Sequence, residues 1–370
     1  MNRKTIPGIF TVAIAFISIF ALLNTNLLSA REHSRAVNLY QLLKEDMNFS
    51  QNEFQEMKEG KVVTKRLNTE VKQELAVFGI MRLNVPREFF IQNYRKDGMN
   101  IETATAKMKG KFGDSTGLDD VRMFSISPYE LKELAQCKPC NCKVKASAGF
   151  MKKFRQLDKS APDFEERANM LIRKAAVEYV QKYLKKGNNA LIVYYDKKNP
   201  IHIAEEFQEL LNKSQYINSY IPELHKYLEK FPESEPHNVD SVFYWVKENF
   251  GGKAKRPIIN INHDVFYRRP GAEKELIVAS KQLYASHYFE AALGLTMMIG
   301  DPENNEPGFY LMHINRSRID VLREIPGFLA KRLFKGVHNL LHKKMTIAKT
   351  NMEGAYRSTQ PTITSYKHRP

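Results

Sequence analysis

Residues 283–299 alternate in character over their whole length. The odd positions read Leu283, Ala285, His287, Phe289, Ala291, Leu293, Leu295, Met297 and Ile299, while the even positions are mixed. A period of two is the pattern of a strand, and it puts one residue set on one side of a sheet. Usual strands have ~5–6 residues, so so long a run predicts one strand over 275–299 in a strongly curved antiparallel sheet. An apolar concave face has to be covered. The nearest cover in chain order is a long helix opened by Pro326. Its apolar stripe is Ala330, Leu333, Phe334, Val337, Leu341, Met345 and Ala348, with lysines and arginines on the other side.

The rest of the chain fits an α+β fold. Strands are predicted from 62, over 74–85, 190–195, 241–246, 258–267 and 308–316. Turn signals at Gly251-Gly252, Pro270-Gly271 and 301–308 separate the later ones, which makes them an antiparallel meander. In 74–85, Leu75, Val77, Gly79, Met81, Leu83 and Val85 share a face, and Pro86 sits where a first-turn helical proline belongs. Helices are predicted at 31–58 (polar), 86–94, 128–135, 162–186, 203–211 and 217–230. The domain ranges expected are a signal segment at 1–30, a helical lead-in at 31–60, one domain at 61–355 and a flexible tail at 356–370.

The first thirty residues carry an address. Arg3 and Lys4 are followed by an uncharged apolar run over 6–23 and by Leu28-Ser29-Ala30. This is the pattern of a secretory signal with a small residue at the cut. The same run nearly reaches the ~20 residues of a membrane span, so an uncleaved anchor stays open. Either way the expected place is extracytoplasmic, periplasmic or secreted. The formal charge is +16, with 57 Lys and Arg against 41 Asp and Glu. Outside the cytoplasm the counterpart of that charge is an anionic membrane surface or envelope polymer, not nucleic acid. A solvated basic surface is the plainer reading.

All three cysteines lie in Cys137-Lys138-Pro139-Cys140-Asn141-Cys142. In an oxidising compartment a Cys137–Cys142 disulfide is expected, with Cys140 spare. Free thiols or a metal role remain open. A second Cys or His pair at finger-like spacing is missing, and Asn141 follows Cys140 where a haem-attachment motif has His.

A strand running into a Pro-initiated helix, a curved meander and a long closing helix together resemble the START-like helix-grip superfamily. "RLNVPREFFIQNYR" resembles its first strand and helix, and "GFYLMHINRSR" with "IPGFLAKRLFKGVHNLL" its last strand and gripping helix. The cysteine segment, "YASHYF" and "INRSR" also resemble uncharacterised exported bacterial proteins. The likeness covers 61–100 and 240–355, and residues 126–232 would be a helical insertion. It implies a hydrophobic ligand held between sheet and helix, although cyclases and hydrolases occur on the same fold.

Few motifs suggest chemistry. Gly113-Asp114-Ser115-Thr116-Gly117 matches G-x-S-x-G, but a hydrolase elbow needs a buried strand before it and a helix after. Here "TAKMKGKF" precedes and "LDDVRMF" follows, so a turn is expected. His263, His287 and His313 fall on successive strands in registers that do not converge. His287 reads as a satisfied core histidine or as the polar anchor of an apolar pocket. Arg316 and Arg318 read as solvated arginines or as a headgroup clamp at a cavity mouth. No cofactor or metal is called for. The leading expectation is a non-enzymatic carrier of a lipid or other hydrophobic ligand. His287, Phe289, Leu293, Leu295 and Met297 would line the site on the sheet, Phe334, Val337 and Leu341 on the helix, and Arg316 at the mouth. The rivals are an envelope-associated hydrolase or cyclase using the same pocket through Ser115 or His287, and a structural envelope protein with a filled core.

Overall fold

A computed structural model describes residues 38–97, 106–233, 236–249, 257–270, 275–301 and 308–360. The signal segment expected at 1–30 and the tail beyond 360 lie outside the described residues.

Two short helices come first, α1 (Leu39–Glu45) and α2 (Gln51–Lys58). Asn38 caps the first, and Ser50 with Glu53 forms a capping box on the second. The lead-in is less polar than expected, since Leu39, Leu42, Leu43 and Met57 are buried. Then follow β1 (Val63–Leu67), β2 (Glu74–Leu83), α3 (Arg87–Asp97) and β3 (Ala106–Phe112). A helical stretch comes next. It holds α4 (Pro128–Leu134), α5 (Ala148–Arg155), α6 (Phe164–Lys186), a short ribbon of β4 (Val193–Tyr194) with β5 (Ile201–His202), α7 (Ile203–Lys213), α8 (Gln215–Tyr220) and α9 (Pro222–Lys230). The meander β6 (Val239–Asn249), β7 (Pro257–Tyr267), β8 (Ile277–Ala285), β9 (Phe289–Gly300) and β10 (Phe309–Ile319) completes the sheet, before α10 (Val321–Glu324) and α11 (Gly327–Ser358). α11 therefore runs into the stretch expected to be a tail.

Eight strands form one antiparallel sheet in the order β1-β2-β10-β9-β8-β7-β6-β3. It is open, with β1 and β3 at its edges. Both faces are covered, so β2 is buried on both sides. Leu75, Val77, Met81 and Leu83 join one apolar cluster, and Ala76, Phe78 and Ile80 the other.

The long alternating run is two strands, not one. The chain turns at Ser286-His287-Tyr288, where Tyr288 takes φ +61°. The pattern reads through the turn for a geometric reason. Directly opposed residues on antiparallel strands share a face, and the register pairs odd with odd, as in Lys281 with Leu293 and Ala279 with Leu295. The apolar set continues although the direction reverses.

α11 seats on the β1–β2 edge. Gly79 faces Met345 so closely that a Cβ there would overlap its sulfur. His338 Nε2 lies 2.9 Å from the Thr64 carbonyl, and the Arg66 guanidinium stacks 3.7 Å over Phe334. The helix stripe is as predicted: Ala330, Leu341 and Met345 are buried, and Leu333, Phe334, Val337 and Ala348 pack beside them. Its partner is not. Leu293, Leu295 and Met297 lie in the opposite cluster, with Phe207 and Leu211 of α7.

Candidate functional site

A large void lies between the sheet and the helices that follow β3. It measures about 620 Å³, within the ~300–1,000 Å³ of ligand pockets. α6 supplies one wall through Leu171, Ile172, Ala175 and Tyr179, all half-buried. Ile192, Val193 and Tyr195 form a second wall, and the first turn of α5 a third. The floor is Ile259 and Ile261 of β7, Tyr284 of β8, and His287 in the turn.

Hydrogen bonds fix the aromatic walls. The Tyr179 hydroxyl donates to the Leu283 carbonyl (2.7 Å) and accepts from the Ile192 amide (3.3 Å). The Tyr284 hydroxyl donates to the Lys145 carbonyl (2.8 Å). Burial pushes both phenols well above the ordinary tyrosine value. His287 Nδ1 lies 2.9 Å from the Lys143 carbonyl. A carbonyl only accepts, so the proton sits on Nδ1 and orients the ring. Glu130, also in the lining, is engaged by Lys247 (3.3 Å) and by the Ser127 amide and hydroxyl (2.8 Å each).

Beneath α11 the expected chamber is small. That void measures about 140 Å³, room for a few waters. Val337 and Leu341 of α11 line it, together with Phe289, Asn262, Gln282, His313 and Asn315 of the sheet. Gln282 Nε2 donates to Asn260 Oδ1 (3.0 Å), whose own amide donates to Glu248 (3.0 Å). Burial, with the Lys344 charge adding, lowers His313 to about 4. Its Nδ1 sits 2.9 Å from the Thr296 hydroxyl.

The structure thus divides the predicted set. His287 lines the large chamber. Phe289, Val337 and Leu341 line the small one, and Phe334 packs on the edge beside Arg66. Leu293, Leu295 and Met297 line neither and are filled core. Their expected place against α11 is corrected by the register of β9, which turns these three toward α7, while Phe289, beyond the register shift opposite Arg318 and Ile319, stays on the α11 side. Arg316 stands at no mouth, because Glu74 holds it in an ion pair that also takes Arg318. Arg318 is 1% exposed and reaches Glu206 and Glu209 of α7, so it is not a solvated arginine.

The three histidines lie in three environments. His263 sits among Tyr183, Phe231 and Phe243 and 2.9 Å from the Ser241 hydroxyl, and burial lowers it well below the usual imidazole value. Among the described residues no three His, Cys, Asp or Glu side chains are grouped to hold a metal ion. Ser115 is exposed in a turn closed by the Thr116 amide on the Gly113 carbonyl (2.9 Å), and a short 3₁₀ turn follows it. Cys137 and Cys142 form the disulfide, and Cys140 is exposed. No described helix is long and apolar enough to cross a membrane.

Sequence reasoning missed Leu171, Tyr179, Ile192, Ile259 and Ile261. The signal was an excess on α6. Ala168, Ala176, Val177, Val180 and Tyr183 already form its buried face. Leu171, Ile172, Ala175 and Tyr179 widen the apolar arc beyond what one seam needs. Comparison of the chain with protein-family models, with curated proteins and with solved structures found no match.

Proposed function

We propose that this chain is a non-enzymatic, extracytoplasmic binding protein that holds one hydrophobic ligand between α5, α6 and the β7–β8 part of the sheet. In this reading the framework is START-like, with β2 running into α3, the meander β6–β10 and the closing helix α11, and the helices between β3 and β6 are an insertion. The ligand site then belongs to the insertion side of the sheet, away from α11. The observation that carries the reading is the chamber: about 620 Å³ with half-buried apolar side chains in its walls, against about 140 Å³ under α11. The Cys137–Cys142 bond supports an oxidising compartment.

A neutral hydrophobic fluorophore, N-phenyl-1-naphthylamine, tests it. One site per chain is expected in the wild type. Ala175→Trp places an indole in the chamber and should abolish the binding while the melting temperature stays within a few degrees. A folded protein that binds no probe, or a variant that binds as well as wild type, would refute the reading.

A further inference from the structure

The chamber's rim is charged on one side. Lys153 of α5 and Lys174 and Lys182 of α6 line it, and all three are exposed. Lys174, Glu178 and Lys182 recur at intervals of four, so they share one edge of α6. That edge borders the apolar strip of Leu171, Ala175 and Tyr179. Lys153 comes from a different helix lining the same void. Among the described residues none of the three lysine side chains makes a hydrogen bond or an ion pair. Only the buried cations are regularly paired: Lys145 lies 3.0 Å from Asp320, Lys247 3.3 Å from Glu130, and Arg318 2.7 Å from Glu209. The acids in the lining do not balance the rim. Glu130 is taken by Lys247 and Ser127, which leaves Glu178 against three lysines.

We infer that the ligand is a single-chain amphiphile with an anionic head, its apolar part in the chamber and its carboxylate or phosphate among Lys153, Lys174 and Lys182. The inference rests on the chamber reading and adds the chemistry of the head. A chamber of this size takes one drug-sized molecule, which favours one chain over two. Lysine is a mobile point charge and not a rigid fork, so the rim selects charge and does not distinguish a planar carboxylate from a tetrahedral phosphate. Exposed cations act through screened attraction, so the preference should weaken as salt rises.

The test uses the full chain loaded with N-phenyl-1-naphthylamine and displaced by four amphiphiles of equal chain length, each kept below its micelle concentration. These are laurate, dodecyl phosphate, dodecanol and dodecyltrimethylammonium. Laurate and dodecyl phosphate should each displace the probe at about tenfold lower concentration than dodecanol. The ammonium compound should be weaker than dodecanol. The gap between anion and alcohol should shrink between 50 and 500 mM salt. In Lys153→Gln/Lys174→Gln/Lys182→Gln the gap should close while affinity for the neutral probe stays unchanged. Displacement by only one of the two anions would contradict selection by charge and overturn the inference. Equal displacement by anion, alcohol and ammonium, with the neutral probe bound, would overturn the inference and leave the chamber reading standing. Absence of any probe binding would remove both.

Discussion

Leu293 and His313 show how far single positions can be read. The alternation assigned Leu293, Leu295 and Met297 correctly to one apolar face. It carried no information on which helix covers that face, because both faces of β9 are buried. His313 was singled out as one of three histidines, but its place in the small void under α11 came from β10 pairing it with Thr296, which the sequence does not display. Its buried ring has a testable consequence. The folded value is lowered to about 4, against 6.5 when unfolded. Between these the unfolded chain binds the extra proton, so stability falls as pH drops from about 6.5 toward 4 and levels off below. His313→Gln should therefore remove roughly 2–3 kcal/mol of the stability lost between pH 7.5 and 4.5. Denaturant titration of wild type and variant at the two values measures it. Equal losses in both proteins would mean that the ring takes up its proton as readily in the folded state as in the unfolded one.

Elements were legible where their ends carry chemistry. Pro86, Pro128 and Pro326 mark helix starts, and Gly187, with φ +52°, ends α6. The turn at Ser286-His287-Tyr288 was not, because it contains no Gly, Pro or Asn and because odd-to-odd pairing keeps the alternation running across it. Contacts between elements were the least visible. Glu74 of β2, Arg316 and Arg318 of β10, and Glu206 and Glu209 of α7 lie far apart in the chain, yet they form one network that fastens α7 to the sheet. Removing one partner of a buried pair strands the others. Arg318→Met should cost about 3 kcal/mol, read as a fall in the denaturant midpoint without loss of helical signal. A cost below about 1 kcal/mol would mean that water already screens these charges.

The molecule as a whole is a sheet with a cover on each side, and the two covers differ in what they enclose. α11 seats on the β1–β2 edge through Gly79 and Met345 and leaves a small void beneath its other contacts. The helices after β3 fill their side over β9 with core, and over β7 and β8 they leave an apolar chamber. Helices 128–135 and 162–186 were anticipated from sequence, and the wide apolar arc of the second was the one sign in it of the void beside the sheet. The account therefore depends on where a ligand goes. The most direct test is a crystal structure of the full chain soaked with 12-bromododecanol, with the bromine located by its anomalous signal. The account predicts one bromine per chain, bounded by Leu171, Ile172, Ile259 and Ile261. A bromine between α11 and the floor of Asn262, Gln282 and His313, or an empty chamber at saturating ligand, would contradict it.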